Sequence, residues 1–367
     1  MENKTLKILH VINSLATGGA EKLILDSLLI YKSEGLEVDL FLLNGVSSPF
    51  LNELEKNDIK IIKSKYKSVY NPLHILEISP LMKQYDMVHV HLFPSLYWVG
   101  LAKILNLNKT LLLYTEHNTS NRRRSNYILK ITDKLIYKVY NKIITISPEV
   151  DKNLQDYLKF SKHNFQLIPN GVNLEKIRCA KPFRKNLLLE NDDVCIIQVS
   201  SFRPQKDQNT LVKSLQYLPE NFKVLLVGDG PLRSEIEENV RKYKLEKRVI
   251  FLGIRSDIPQ LLKMADLVVL SSFYEGLSLS SIEGMASGKP FLASDVPGLH
   301  NIVNGAGILF PQGDSKTLSE EILKLINDEV YYKTISERVV ERASNFDIKL
   351  MVENYIQIYE ELVESNF

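Results

Sequence analysis

Ten short apolar runs, each followed by a stretch with helical periodicity, constrain this chain more than any other feature. Five lie in the first half: "LKILHVI" (6–12), "VDLFLL" (38–43), "MVHVH" (87–91), "TLLLYT" (110–115) and "KIITIS" (142–147). The pattern restarts after residue 190 with "VCIIQVS" (194–200), "FKVLLVG" (222–228), "RVIFLG" (248–253), "DLVVLSS" (266–272) and "KPFLAS" (289–294). A strand wet on one face alternates apolar and polar residues. A strand covered on both faces reads apolar almost throughout, as parallel sheets flanked by helices require. Two such series predict two α/β domains, and 367 residues suit two cores of roughly 150 to 200 residues each.

Between the series, "IPNGVNLEKI" (168–177) carries Pro-Asn-Gly, a turn signal that reads as a hinge. The expected domains are 1–170 and 171–348. The closing stretch "KLMVENYIQIYEELVE" (349–364) reads as a helix, with residues from about 349 to 367 packing back on the first domain. Ligands of such sheets bind beyond the carboxyl ends of the strands, which places the expected site in a cleft between two facing domains.

Charge is uneven. Residues 1–172 hold 22 Lys+Arg against 16 Asp+Glu, and residues 173–367 hold 24 against 28. A basic first half suits an anionic partner such as a membrane surface or a phosphorylated lipid. Nucleic acid is not expected, because no zinc-finger, helix-turn-helix or RNP pattern accompanies the charge. The apolar stretch before Asn13 is too short for a signal-peptide core, and no run of 18 apolar residues occurs, so the chain reads as cytoplasmic. Two cysteines, Cys179 and Cys195, read as reduced packing thiols without the company a metal site needs.

The chemistry concentrates where strands end. "FYEGLSLSSIEGMA" (273–286) follows the fourth strand of the second series. Gly276 is expected to permit a tight turn, and the amides of Leu277, Ser278 and Leu279 to sit at a helix start, where a phosphate or pyrophosphate is favoured. Glu275 would lie beside that anion and Glu283 about a turn inside the helix. Carboxylates next to a phosphate site need hydroxyls that donate to them, and sugars or riboses supply these. A nucleotide sugar satisfies both requirements; two surface glutamates at a helix start would explain the stretch equally well by itself.

Other segments tip that balance. "SSFRPQKDQNTL" (200–211) puts Arg203 and Lys206 at a strand end, where two cations can neutralise a departing diphosphate. "VGDGPLRSEI" (227–236) offers Gly228 and Gly230, but Arg233 occupies the place of a dinucleotide fingerprint's third glycine. "FLGIRSDI" (251–258) adds Gly253 and Arg255 on the base side. In the first domain "SLATGGAEKLILDSL" (14–28) sets Gly18 and Gly19 between strand and helix, facing a phosphate, and "LLYTEHNTSNRRR" (112–124) ends a strand in Glu116, His117 and Asn118.

Taken in order, "TGGAEK", "HVHLF", "YTEHN", "IPNGVN", "FRPQK", "VGDGPL", "LGIRSDI" and the E-x7-E stretch resemble the family-4 retaining glycosyltransferases over nearly the whole chain. The resemblance implies the GT-B fold: α/β, with two Rossmann-like parallel-sheet domains facing across a cleft. It also implies a nucleotide-sugar donor held by the second domain and a glycan or lipid-linked acceptor presented by the first, in bacterial surface-polysaccharide assembly. Glu275 would contact sugar hydroxyls of the donor, Glu283 the ribose and Lys206 the diphosphate. The family's arginine, five residues before that lysine, falls on Ser201, with Arg203 two residues on as its replacement. His117 would sit at the donor sugar and acceptor, His91 near the site and His89 in packing. The expected catalytic set is thus Glu275, Lys206, Arg203 and His117.

No D-x-D triplet occurs, so neither a metal nor another cofactor is expected; a UDP-sugar is expected ahead of a GDP-sugar. The proton of the acceptor hydroxyl would pass to the departing phosphate oxygen on the same face. A same-fold epimerase or phosphorylase, a glycosidase and a non-catalytic binding subunit stay open as alternatives. Finally, in "RRRSNYILKITDKLIYKVYNK" (122–142) Lys130, Lys134, Lys138 and Lys142 recur every fourth residue beside Ile128, Ile131, Leu135 and Val139. That pairing of stripes suits either a peripheral membrane contact at the inner face of the cytoplasmic membrane or a solvated face of a core-packed helix.

Overall fold

The structure, a computed structural model, describes residues 5–16, 18–105, 107, 109–118, 127–160, 164–183, 187 and 189–365, without the side chains of 127 and 128. They form two units, residues 1–171 with 348–367 and residues 172–347. The chain enters and leaves the second unit side by side, where Val172 pairs with Asp347 and the Val172 amide donates to the Phe346 carbonyl at 2.8 Å.

Unit 1 contains seven parallel strands: β1 (Lys7–Ile12), β2 (Glu37–Leu42), β3 (Ile61–Lys63), β4 (Met87–His91), β5 (Leu111–Glu116), β6 (Lys142–Thr145) and β7 (Phe165–Leu167). Their order is β3-β2-β1-β4-β5-β6-β7, so the winding reverses between β1 and β4. Side chains alternate across the sheet. Ile8 and Ile12 of β1 join a core with Leu28 of the helix Gly19–Ser33, while Leu9 and Val11 join another with Leu96, Val99 and Tyr137. The C-terminal helix Ile348–Glu364 buries Ile348, Met351, Val352, Tyr355, Ile358 and Tyr359, one stripe at helical spacing, and packs into the core that holds Ile8 and Ile12.

Unit 2 contains β8 (Val194–Val199), β9 (Phe222–Val227), β10 (Val249–Gly253), β11 (Leu267–Leu270), β12 (Phe291–Ser294) and β13 (Ile308–Phe310), in the order β10-β9-β8-β11-β12-β13. The reversal lies between β8 and β11. The helix Leu279–Ala286 lies so close to the sheet that a Cβ on Gly284 would stand 2.7 Å from the Phe291 ring and 2.9 Å from Val268. Gly284 therefore serves close helix–sheet packing.

Each of the ten apolar runs overlaps a strand. Three further strands, β3, β7 and β13, went unread: each has three residues and lies at a sheet edge, too short to show a period. The Lys-rich segment is helical over Tyr127–Tyr137, with Asp133, Ile136 and Tyr137 buried and Ile131 and Leu135 exposed at 49% and 59%. Half of its expected apolar stripe is thus at the surface. Residues 122–126 and the Ile128 side chain lie outside the described residues. No described helix is long and apolar enough to cross a membrane.

Candidate active site

In unit 2 the loop after β8 folds back along the end of β11. The Asp207 amide donates to the Ser271 carbonyl (3.2 Å) and the Phe273 amide to the Gln205 carbonyl (2.9 Å), which sets Lys206 opposite Ser272 in an antiparallel bridge. Buried side-chain amides hold this pairing from beneath. Gln198 Nε2 donates to Ser200 Oγ (3.0 Å), Ser271 Oγ donates to Gln198 Oε1 (2.8 Å), and Gln208 Nε2 donates to Ser200 Oγ and to the Ser201 carbonyl, both at 3.0 Å. Polar groups buried this deeply cost free energy unless bonded, so the network rigidifies the loop.

The consequence is a charged pair at the reversal between β8 and β11. Lys206 Nζ donates to Glu275 Oε1, and Ser272 Oγ donates to the same oxygen at 2.6 Å. The two charged side chains are only 12% and 9% exposed. An ammonium has three N–H groups, so Lys206 can hold Glu275 and an incoming anion together. Glu275 Oε2 has no hydrogen-bond partner among the described residues and is available to a donor such as a sugar hydroxyl.

Glu275 and Gly276 rest on Gly298, where any Cβ would run into both of their carbonyl oxygens. Sequence reasoning missed Gly298; its only local signal is the Pro-Gly of "VPGLH". Gly276 does not owe its turn to a left-handed backbone. It is not among the glycines with positive φ, whereas Gly228 (φ 130°) and Gly253 (φ 64°) are. The turn is shaped by the contacts of Glu275 and by Gly298, not by conformational freedom at 276.

Beyond that turn Ser278 caps the helix Leu279–Ala286, its side chain accepting from the Ser281 amide. The amides of Leu277, Ser278, Leu279 and Ser280 meet no acceptor among the described residues. Glu283 is buried in the second turn of the helix, 8% exposed.

The remaining expected residues are placed less centrally. Gly228 and Gly230 press on the backbone of the loop after β8, where a Cβ would strike the carbonyls of Ser200 and Phe202. They seat the Lys206 loop, whatever else they touch. Arg203 is exposed at the turn whose carbonyl accepts the Lys206 amide (2.9 Å). Arg255 is held by Asp257 through two hydrogen bonds of 2.8 and 2.6 Å. Arg233 pairs with Asp229 and Glu237, which accounts for it without a dinucleotide.

In unit 1, period two and parallel register gather histidines at the reversal between β1 and β4. His10 is the register partner of His89, and His91 that of Thr115. His10 was not singled out from sequence, although it shares the parity of the core residues Ile8 and Ile12. His89 bridges Tyr359 OH and Thr115 Oγ1, both at 2.7 Å, and Thr115 Oγ1 meets Tyr355 OH at 3.0 Å. His89 thus fastens the C-terminal helix to the sheet. His91 Nε2 lies 3.2 Å from His10 Nδ1, and its Nδ1 lies 3.3 Å from His117 Nε2.

Burial lowers all four imidazole pKa values, to about 3 at His10 and about 4 at His117, so all are neutral near pH 7. His10, His89 and His91 each bring a nitrogen within 4.8 Å of the others, a spacing that admits a cation. Both nitrogens of His89 and of His91 are already hydrogen-bonded, however, so these imidazoles serve their neighbours in this arrangement. Neighbouring Glu116 is taken by structure: Tyr137 OH donates to it at 2.8 Å and the Asn118 amide at 3.1 Å. Gly18 and Gly19 stand at the start of the helix Gly19–Ser33, with Gly18 as its cap.

Two parallel sheets that each reverse their winding define a class, and comparison with known proteins gives it a name. The family model for Glycosyltransferase Family 4 matches residues 17–176, and that for Glycosyl transferases group 1 matches residues 180–345. The chain belongs to the family-4 glycosyltransferases and is a glycosyltransferase of the GT-B fold.

Among its relatives is the UDP-Gal:alpha-D-GlcNAc-diphosphoundecaprenol alpha-1,3-galactosyltransferase of Escherichia coli, 24% identical, with 98% of this chain and 97% of the relative covered. A second is the N-acetylgalactosamine-N,N'-diacetylbacillosaminyl-diphospho-undecaprenol 4-alpha-N-acetylgalactosaminyltransferase of Campylobacter jejuni, 23% identical over 92% of this chain and 94% of that one. The fold matches that of Anabaena HepE, crystallised with UDP and glucose, with a TM-score of 0.81, 22% identity, and coverage of 97% and 99%. The relatives are transferases, which does not favour the epimerase, glycosidase or binding-subunit alternatives.

Proposed function

We propose that this protein transfers a sugar from a UDP-sugar to a lipid-linked glycan, with retention of configuration and without a metal, during assembly of a bacterial surface polysaccharide. One observation carries the reading: the Lys206–Glu275 pair beside unoccupied helix amides at the β8/β11 reversal. In this reading the diphosphate takes the amides of Leu277–Leu279 and one N–H of Lys206, with Arg203 adding charge from the exposed turn. Glu275 accepts from a donor-sugar hydroxyl, Glu283 from the ribose, and Gly228, Gly230, Gly253 and Arg255 line the nucleotide. Gly18 and Gly19 let backbone approach the phosphates, and His117 hydrogen-bonds a sugar hydroxyl.

The lipid-linked acceptor is supported by the relatives from Escherichia coli and Campylobacter jejuni, whose names carry a diphosphoundecaprenol, and the UDP donor by the first of these and by the HepE complex. A peripheral contact with the inner membrane face fits the exposed Ile131 and Leu135 beside Lys134 and Lys138.

The test is thermal unfolding of the purified protein against UDP, GDP, ADP, dTDP and their common sugars, with and without EDTA. A ligand at 100 times its Kd adds about 2.7 kcal/mol. A UDP-selective shift that survives EDTA is expected, followed by transfer to a diphosphoundecaprenol-linked sugar with an α product by NMR. A shift for GDP alone, or one abolished by EDTA, overturns the donor or the metal-independence respectively.

A further inference from the structure

The segment "HVHLF" (89–93) runs past its histidines into a part-exposed aromatic residue at the reversal between β1 and β4. Phe93 follows the carboxyl end of β4, where sheets of this kind bind their ligands. Its carbonyl accepts from Asn13 Nδ2 at 2.8 Å, and Asn13, just beyond β1, accepts on Oδ1 from Ser95 Oγ at 2.8 Å. The two strand ends that flank the reversal are therefore tied together at Phe93. Leu92, next to it, has φ of 63°, a conformation bulky residues rarely adopt, and such strain gathers at ligand sites.

Phe93 does not stand alone. Tyr97 meets its ring edge-on, centroids 5.4 Å apart, and Tyr97 OH is fixed by donating to Asp133 Oδ1 at 2.5 Å. The ring of Tyr70 lies 6.2 Å from that of Phe93. Tyr70 belongs to the loop after β3, at the same edge of the sheet, and is 64% exposed.

That loop is not loose. Ser64 Oγ donates to Glu77 Oε2 at 2.5 Å and His74 Nε2 to the Ser68 carbonyl at 3.0 Å. Asn44 Nδ2 donates to the Lys67 carbonyl at 2.9 Å, and the Trp98 indole to the Val69 carbonyl at 2.8 Å. The Asn71 amide closes the far side, donating to the Ser68 carbonyl at 3.1 Å. Backbone on both sides of Tyr70 is thus held, so its exposed ring has lost freedom before any ligand arrives. Preorganisation of this kind lowers the cost of binding.

A pyranose suits such a surface. One of its faces is a set of C–H groups that lies on an aromatic ring, while its rim of hydroxyls reaches groups such as Tyr70 OH. Lys65 and Lys67 of the same loop are exposed and have no acidic partner among the described residues, which favours a sugar that carries phosphate.

We propose that Tyr70 and Phe93 form an aromatic platform for a pyranose of the acceptor glycan. The proposal rests on the reading of unit 1 as the acceptor side, and it assigns a sugar contact separate from those of Glu275 and His117.

The test uses Trp98, the single tryptophan, whose indole bonds the carbonyl next to Tyr70. Full-length protein is titrated with the methyl α- and β-pyranosides of glucose, galactose, N-acetylglucosamine and N-acetylgalactosamine, and Trp98 fluorescence is followed. A saturable change with at least one of them is expected. Tyr70→Ala should weaken that sugar roughly 3- to 10-fold, the scale of one lost aromatic contact. Tyr70→Phe keeps the ring and should weaken it less, and Phe93→Leu should weaken it as Tyr70→Ala does. Because Tyr70 is largely exposed, its replacement leaves the core intact, and circular dichroism checks this.

No saturable change with any pyranoside, or equal affinity in Tyr70→Ala, overturns the platform. So does loss of binding to anionic phospholipid vesicles in Tyr70→Ala with an unaltered sugar titration, which makes the loop a lipid contact instead. The thermal shift with UDP is measured on the same samples and should be the same in every variant. Its absence from the wild type overturns the donor reading, while the sugar titration still judges the platform.

Discussion

The two units place different chemistry at the same position of the same kind of sheet. Where the winding reverses in unit 1, a group of neutral imidazoles and tyrosine hydroxyls is buried and bonded largely to itself. At the corresponding reversal in unit 2, a lysine and a glutamate keep opposite charges at the rim of the core. The difference lies in what covers each reversal. Unit 1 lays Tyr355 and Tyr359 of its C-terminal helix over β4 and β5, and under that cover an imidazole stays neutral. Unit 2 leaves two loops and a short helix there, so charges keep some water and are free to meet a charged ligand. A shared fold thus sets the same position at each reversal, while local cover decides whether charged or neutral side chains stand there.

The largest expected effect breaks the charged side. Glu275→Ala or Lys206→Ala should lower transfer by about 10²- to 10³-fold, the scale of losing one preorganised charge-stabilising group. Initial-rate assays check this, with circular dichroism as the folding control. Activity of Glu275→Ala near wild type would remove Glu275 from the donor site.

Next comes the support beneath that pair. Gly298→Ala drives a methyl group into the carbonyls of residues 275 and 276 and should cost about 1–3 kcal/mol, read as a lower denaturation midpoint of unit 2. An unchanged midpoint together with unchanged nucleotide binding would mean the turn relaxes freely.

The neutral side answers to acid. His10 and His117 titrate near pH 3 and 4 when folded and near 6.5 when unfolded, so between those values the unfolded chain binds more protons. Stability of unit 1 should be full above about pH 6.5 and fall as pH drops toward about 4. Trp98, the single tryptophan, lies in unit 1, so its fluorescence follows that unit's unfolding while circular dichroism follows both. A flat Trp98 midpoint between pH 7 and 4.5 would show that the imidazoles gain water. The smallest effect is expected for Arg255→Ala, which breaks an exposed pair with Asp257 worth about 0–1 kcal/mol. A large loss of UDP affinity there would make Arg255 a principal nucleotide contact rather than one at the rim of the lining.

Much of this was legible in one dimension. Apolar runs on both sides of helical stretches marked ten of the strands, because a strand covered on two faces has almost no polar residues to show. Glu275, Lys206 and the capped helix start at Ser278 were visible because each sits a few residues beyond such a run. The edge strands β3, β7 and β13 were not, since three residues cannot display a period. The conformation of Gly276 was misread because the residue that shapes its turn, Gly298, lies outside the local window.

By itself, then, the sequence determined the two α/β units, the strand ends from which chemistry had to come, and the residue types found there. All of these follow from periodicity and spacing within about twenty residues. Only the tertiary structure decided which of those residues meet. It paired Lys206 with Glu275 across 69 residues, lined up His10 and His91 from two strands with His117 just past the end of a third, and returned Tyr359 to His89 across 270. Strand order and register settle such meetings, and they emerge from the packing of whole sheets; no short stretch of chain encodes them.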